Sequence, residues 1–202
     1  LYIVPNGVEP AFFREHKTYD RERAYLKFIH VSTLDEKYKN IGGTLEGFAG
    51  LNMAGDDFRF LIISDGDRAF AKQKVSELGL SKEVEIRGAA PPASIAAEMQ
   101  SSDALVLFSN TENQPCVVLE ALATGLPVIA SSVGDLPNLI TADKGFLVLP
   151  GDVKGLTEAL INFSRLRANF NREKISAGAG ERFSSEAIAS VLSSHYEKLL
   201  GT

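Results

Sequence analysis

The strongest constraint on this chain is an alternation, from Lys27 onward, of short apolar runs with longer stretches whose apolar residues recur at helical spacing. Ala104 to Phe108 is apolar throughout, as a strand covered on both faces requires; a strand with one wet face would alternate polar and apolar residues. Lys27–Ser32, Phe58–Ile63, Glu83–Arg87, Pro127–Ser131 and Gly145–Val148 read as companion strands. Helices are expected over Gly42–Met53, over Arg68–Leu78 closed by Gly79, over Pro92–Gln100, and over Pro115–Thr124 ended by Gly125. A short helix at Leu136–Ile140, a longer one from Val153 to about Arg167 and a last one capped by Ser184 and running to Leu200 complete the pattern. Strand and helix alternating about six times give crossover connections. The fold class is therefore α/β, a Rossmann-like parallel sheet with helices on both faces. Residues 26–202 read as one domain and 1–25 as a lead-in segment, turn-rich at Pro5-Asn6-Gly7. The start at Leu1, without a methionine or a signal-peptide pattern, reads as mid-protein sequence, so a longer parent chain is expected.

Several function classes fall away on composition. With 21 basic and 26 acidic side chains the net charge is −5, which leaves no cationic excess to displace the counterions of a nucleic acid. The apolar runs fall far short of the roughly 20 residues that a spanning helix needs. A single cysteine, Cys116, forms no internal disulfide and fits a reducing compartment. That cysteine and the scattered His16, His30 and His195 supply no metal-ligand spacing, so no metal site is expected.

In an open parallel sheet, ligands sit beyond the carboxyl ends of the strands. The richest loop there is Ser109-Asn110-Thr111-Glu112-Asn113-Gln114-Pro115-Cys116-Val117-Val118-Leu119-Glu120. With Pro115 as the first helical residue, the amides of Cys116, Val117 and Val118 lie unbonded at the positive end of a helix, where anions and phosphates bind. Glu112 then stands beside that end, and Glu120 about 7–8 Å further along the helix. Glu120 lies among Val117, Val118, Leu119, Ala121 and Leu122, an apolar surround in which a carboxylate needs a partner: an internal salt bridge, a neighbouring loop that it caps, or a ligand. Ser64-Asp65-Gly66-Asp67 contains a D-x-D spacing but reads as a turn. His30 reads as a core or supporting residue, and His16 and His195 as surface residues.

Glu112, seven residues, Glu120, then Ala121-Leu122-Ala123-Thr124-Gly125-Leu126-Pro127-Val128 resembles the E-x7-E signature of retaining GT-B glycosyltransferases of family 4, also called group 1. The likeness extends to Pro5-Asn6-Gly7-Val8-Glu9, to Val31 through Asn40, to Val133-Gly134-Asp135-Leu136-Pro137 and to Gly145-Phe146-Leu147-Val148, so it covers essentially the whole chain. The resemblance implies the C-terminal, nucleotide-sugar-binding half of such an enzyme, with the acceptor half absent. Glu112 would contact the donor sugar, Glu120 the ribose, and the amides of Cys116 and Val117 the sugar and diphosphate. Lys39 takes the place of the family's phosphate-binding lysine, whereas Thr33 stands where the family has arginine; Lys37 would substitute if its loop turned inward. Ala89 and Ala90 would bracket the base with their backbone. Glu112 and Lys39 would be the catalytic residues.

The expected reaction is transfer of a sugar, with retention, from a UDP- or GDP-linked donor to an acceptor hydroxyl in polysaccharide or glycan biosynthesis, without cofactor or metal. The partners would be that donor and the missing N-terminal domain, and the fragment alone would be inactive. The location would be cytoplasmic, with peripheral membrane association through the absent half. Two alternatives stand beside this: an isomerase resembling the UDP-N-acetylglucosamine epimerases, disfavoured by the transferase spelling around E-x7-E, and a non-catalytic α/β binding module.

Overall fold

The computed structural model describes residues 4–13 and 23–200. Strands β1 (Leu26–Val31), β2 (Phe58–Ile63), β3 (Val84–Arg87), β4 (Ala104–Leu107), β5 (Val128–Ser131) and β6 (Gly145–Val148) form one sheet of order β3-β2-β1-β4-β5-β6, every neighbouring pair parallel. The helices are α1 (Glu36–Lys39), α2 (Ile41–Met53), α3 (Ala69–Glu77), α4 (Pro92–Ser101), α5 (Cys116–Ala123), α6 (Leu136–Leu139), α7 (Val153–Leu166), α8 (Arg172–Phe183) and α9 (Ser185–Leu200). They cover both sides of the sheet, as expected for strands apolar on both faces. All residues of β4 and β5 are buried.

A phenylalanine cluster anchors one side. Phe28 of β1 meets Phe48 of α2 at 5.2 Å between ring centroids and Phe163 of α7 at 5.9 Å, and Phe48 stacks on Phe60 of β2. Edge-on and offset contacts of this kind add about 0.5–1.5 kcal/mol per pair to the burial itself. Gly47 and Gly50 let α7 approach α2, because a Cβ at either would press into Leu156 or Thr157. The described part of the lead-in is packed rather than free: the Val8 amide donates to Phe183 O at 2.8 Å, and Phe12, in a short 3-10 turn at Pro10–Phe13, is buried.

Three local features differ from the sequence expectation. Helix α8 was not anticipated, because only Ile175, Ala179 and Phe183 are buried along it and Gly178 and Gly180 interrupt it. The short α1 occupies what read as a loop, nucleated by Asp35, whose side chain accepts from the Lys37 amide. Helix α5 begins at Cys116, with Pro115 as its flanking cap residue rather than its first helical residue. Leu1, Tyr2, Ile3 and His16 lie outside the described residues. No helix among the described residues is long and apolar enough to cross a membrane.

Candidate functional site

The chain order reverses between β1 and β4, which neighbour each other at the centre of the sheet although β2 and β3 intervene in sequence. The crevice at such a reversal is where parallel sheets bind ligands. Its two walls are the segment after β1, residues 32–39, and the loop after β4, residues 108–115.

The walls are sewn together. The Asn110 amide donates to Tyr38 O at 2.8 Å, and Asn110 Nδ2 donates to Lys37 O at 3.1 Å. Lys39 Nζ donates to Glu112 Oε1 at 2.6 Å, and buried Ser109 donates its hydroxyl to the same oxygen at 2.7 Å. The Glu112 side chain is 8% exposed and that of Lys39 21%, a charge pair largely withdrawn from water. Among the described residues Glu112 Oε2 receives no hydrogen bond. Lys37 does not turn inward: its ammonium lies over its own neighbour's ring, Tyr38, at 5.1 Å.

The loop after β5 closes the far side. The Asp135 amide donates to Asn113 O at 2.9 Å, and Gln114 Nε2 donates to Asp135 Oδ2 at 2.9 Å. Hydrogen bonds from Gln114 and Asn138 hold the Asp135 carboxyl below its ordinary range. Gln114 also accepts from the Asn6 amide at 2.8 Å, which brings the Pro5-Asn6-Gly7 turn against the same loop.

Helix α5 starts here with no side-chain cap. The Val118 amide donates to Pro115 O at 3.0 Å, so the expectation of three unbonded amides is corrected to two, those of Cys116 and Val117. Among the described residues neither of these amides meets an acceptor, and Cys116 is exposed. A tight first turn makes this difference, since a 3-10 bond satisfies the third donor.

Glu120 lies on α5, half-buried, with no ion pair or hydrogen bond to its carboxylate among the described residues. Burial, and secondarily the negative charge of Glu9, pushes its pKa up. The internal salt bridge offered as one explanation of its apolar surround is therefore not what the structure contains.

Thr33, Ala89 and Ala90 come together around a cavity of about 260 Å³ at the carboxyl ends of β1, β2 and β3, which Ser32, Ser64 and Asp65 also line. The D-x-D segment is a turn, as expected: Ser64 Oγ accepts from the Gly66 amide at 3.0 Å and Asp67 Oδ1 from the Ala69 amide at 2.9 Å. A larger cavity of about 560 Å³ lies beside Lys27 and Arg59. Four of the cations lining it are paired, Lys27 and Arg87 with Glu98, Arg59 with Asp57 and Arg23 with Asp103; Lys82 lines it too.

His30 reads from the sequence as a core or supporting residue, and the structure places it in the core beside the crevice. It is fully buried, with Nδ1 2.9 Å from Val106 O and Nε2 2.7 Å from Ser32 Oγ. Burial above all, with a contribution from Lys39, lowers its pKa to about 4. The unfolded chain takes up this proton near pH 6.5 and the fold resists it, so His30 makes stability fall between about pH 6.5 and pH 4 and leaves it level above that window. Urea unfolding at pH 7 and pH 4.5 should show the natural chain losing about 2 kcal/mol more than a His30→Asn variant, at about 1.4 kcal/mol per pH unit. Equal losses would contradict a neutral buried His30.

An all-parallel doubly wound sheet with an uncapped helix start at its switch point is the architecture in which α/β proteins place a ligand crevice. Residues 26–165 match the family model "Glycosyl transferases group 1", and the chain belongs to that family. It is 30% identical over 177 residues to the amylovoran biosynthesis glycosyltransferase AmsK of Erwinia amylovora, an alignment covering 84% of this chain and 43% of AmsK. Among solved structures, a sucrose-phosphate synthase from Thermosynechococcus elongatus superposes with a TM-score of 0.84 at 22% identity, covering 98% of this chain and 52% of that one. The Anabaena HepE protein in complex with UDP superposes with a TM-score of 0.73 at 20% identity, covering 89% of this chain and 50% of that one. The chain thus spans about half the length of the proteins it matches.

Proposed function

We propose that this chain is the donor-binding part of a retaining glycosyltransferase that moves a sugar from a UDP- or GDP-linked donor to an acceptor hydroxyl in glycan biosynthesis. The observation that carries this is the Lys39–Glu112 pair, part-buried at the chain-order reversal next to the uncapped start of α5. The diphosphate rests on the amides of Cys116 and Val117 and on Lys39. Departure of the nucleoside diphosphate develops negative charge, and fixed positive groups at that point stabilise it. Glu112 Oε2 faces the donor sugar, Glu120 accepts from a ribose hydroxyl, and the backbone of Ala89 and Ala90 flanks the base beside Thr33. In this scheme Lys39 and the helix end supply the positive charge without a metal. Support for the donor class comes from the fold shared with the UDP complex of HepE, and support for glycan assembly from the kinship with AmsK. The acceptor site lies on a part of the protein outside this sequence, residues 26–202 forming the nucleotide-sugar unit and 1–25 its lead-in. The chain alone therefore binds donor without transferring sugar.

Calorimetric titration with UDP, GDP and their sugar conjugates tests this. One of the two nucleotide series should bind, and Glu120→Gln should weaken it while melting no lower than the natural chain, because the substitution removes a desolvated carboxylate repelled by Glu9. A folded chain that binds none of these ligands would overturn the proposal.

A further inference from the structure

Strands β1 and β4 pair only at Phe28↔Ala104 and Ile29↔Leu105, while β1 stays paired with β2 as far as Val31↔Ile63. Beyond Ile29 the two central strands therefore part, and the crevice opens between them. His30 stands at the fork. Its Nδ1–H donates to Val106 O on β4, which fixes the tautomer and leaves Nε2 an acceptor. Ser32 then donates its hydroxyl to Nε2, and its oxygen in turn accepts the Leu34 amide at 3.1 Å. Leu34 has φ 59°, a left-handed conformation that a leucine adopts only when its surroundings impose it. Asp35 follows as the cap of α1, and α1 ends at Lys39. Thr33, inside the same turn, sets its carbonyl so closely over Gly66 that a Cβ there would collide with it.

We propose that His30 is a positioning residue of the donor site, holding through Ser32 the left-handed turn that places Thr33 against the base cavity and Lys39 against the diphosphate. The inference rests on the proposed donor site. Neither His30 nor its ring touches the ligand; it acts through Ser32 and the turn. Burial requires both ring nitrogens to be paired, and here the second bond leads straight into the segment that forms one wall of the crevice.

The test is a double-mutant cycle on the chain as it stands, with UDP and GDP as probes and thermal unfolding measured in parallel. Ser32→Ala leaves the His30–Val106 bond in place, and in His30→Asn the shorter amide still reaches toward Val106 but not to Ser32. Each single variant should weaken nucleotide binding about fivefold, and the double variant should be no weaker than either single one, because both break the same relay. Variants that melt lower yet bind as tightly as the natural chain would overturn the positioning role and leave the donor site standing. Independent, multiplying losses would overturn the relay between His30 and Ser32. A natural chain that binds neither nucleotide would remove the donor site and this role with it.

Discussion

Lys39→Ala should cost the chain about a hundredfold in affinity for its nucleoside diphosphate, the largest loss expected of any single substitution at the site. A hydrogen bond to a charged group contributes about 1.5–3 kcal/mol, so loss of the ammonium alone accounts for ten- to hundredfold. The remainder comes from Glu112. Its side chain is 8% exposed and loses its counter-ion, so an unneutralised carboxylate would face the incoming phosphates. Stability falls as well, by about 1–3 kcal/mol, because a buried charged group loses one of its two partners and keeps only the Ser109 hydroxyl. Adding Glu112→Gln separates the two effects. The double variant should recover most of the stability but only the part of the affinity lost to the bare carboxylate, staying at least about tenfold weaker than the natural chain. Full recovery of affinity with the neutral pair would mean that Lys39 serves the fold and not the ligand.

Gly134→Ala should lower the melting temperature by about 5–15 °C. Gly134 has φ +55°, where an L side chain costs about 1–2 kcal/mol. Its Cβ would also drive into the carbonyl oxygens of Glu112 and Asn113, backbone atoms that cannot swing aside as a side-chain tip can. Overpacking of that kind adds about 1–3 kcal/mol, and for a chain of this size each kcal/mol moves the melting point by about 2–4 °C. Gly55→Ala is the matched control: φ is +86°, and nothing lies within 4 Å of the added carbon. It should show the conformational cost alone. Because the collision at Gly134 displaces the loop carrying Glu112, Gly134→Ala should weaken nucleotide binding too, whereas Gly55→Ala should not. Equal melting points for the two variants would contradict the close approach of the β4 and β5 loops.

What was legible in the sequence follows from which forces act locally. Ala104 to Leu107 could be placed because a strand covered on both faces is apolar at successive positions, and Phe58–Ile63 and Gly145–Val148 fall where their apolar runs lie. Glu112 and Lys39 could be singled out by motif, yet their 2.6 Å bond joins residues 73 positions apart and no local pattern encodes it. The same distance in sequence hid the partner of His30: Val106 is 76 residues away, and only the parting of β1 from β4 brings its carbonyl to the ring. Glu120 illustrates the converse. Its apolar neighbours foretold its partial burial, and that burial first, with the negative charge of Glu9 in the lead-in segment second, raises the pKa where an ion pair would have lowered it. The family motif favoured Lys39 over Lys37, though composition alone shows only two lysines in one loop. The one-turn helix α1 separates them, turning Lys39 into the crevice and leaving Lys37 on Tyr38.

Titration of UDP and GDP into the uniformly ¹⁵N-labelled chain, followed by amide resonances, tests most directly whether a diphosphate lies on the start of α5. The Cys116 and Val117 amides should move furthest and in step with the calorimetric saturation, with Lys39, Ala89 and Ala90 following. Saturable shifts clustered instead around Lys27, Arg59 and Arg87, with Cys116 and Val117 unmoved, would place the ligand in the other cavity and contradict the account.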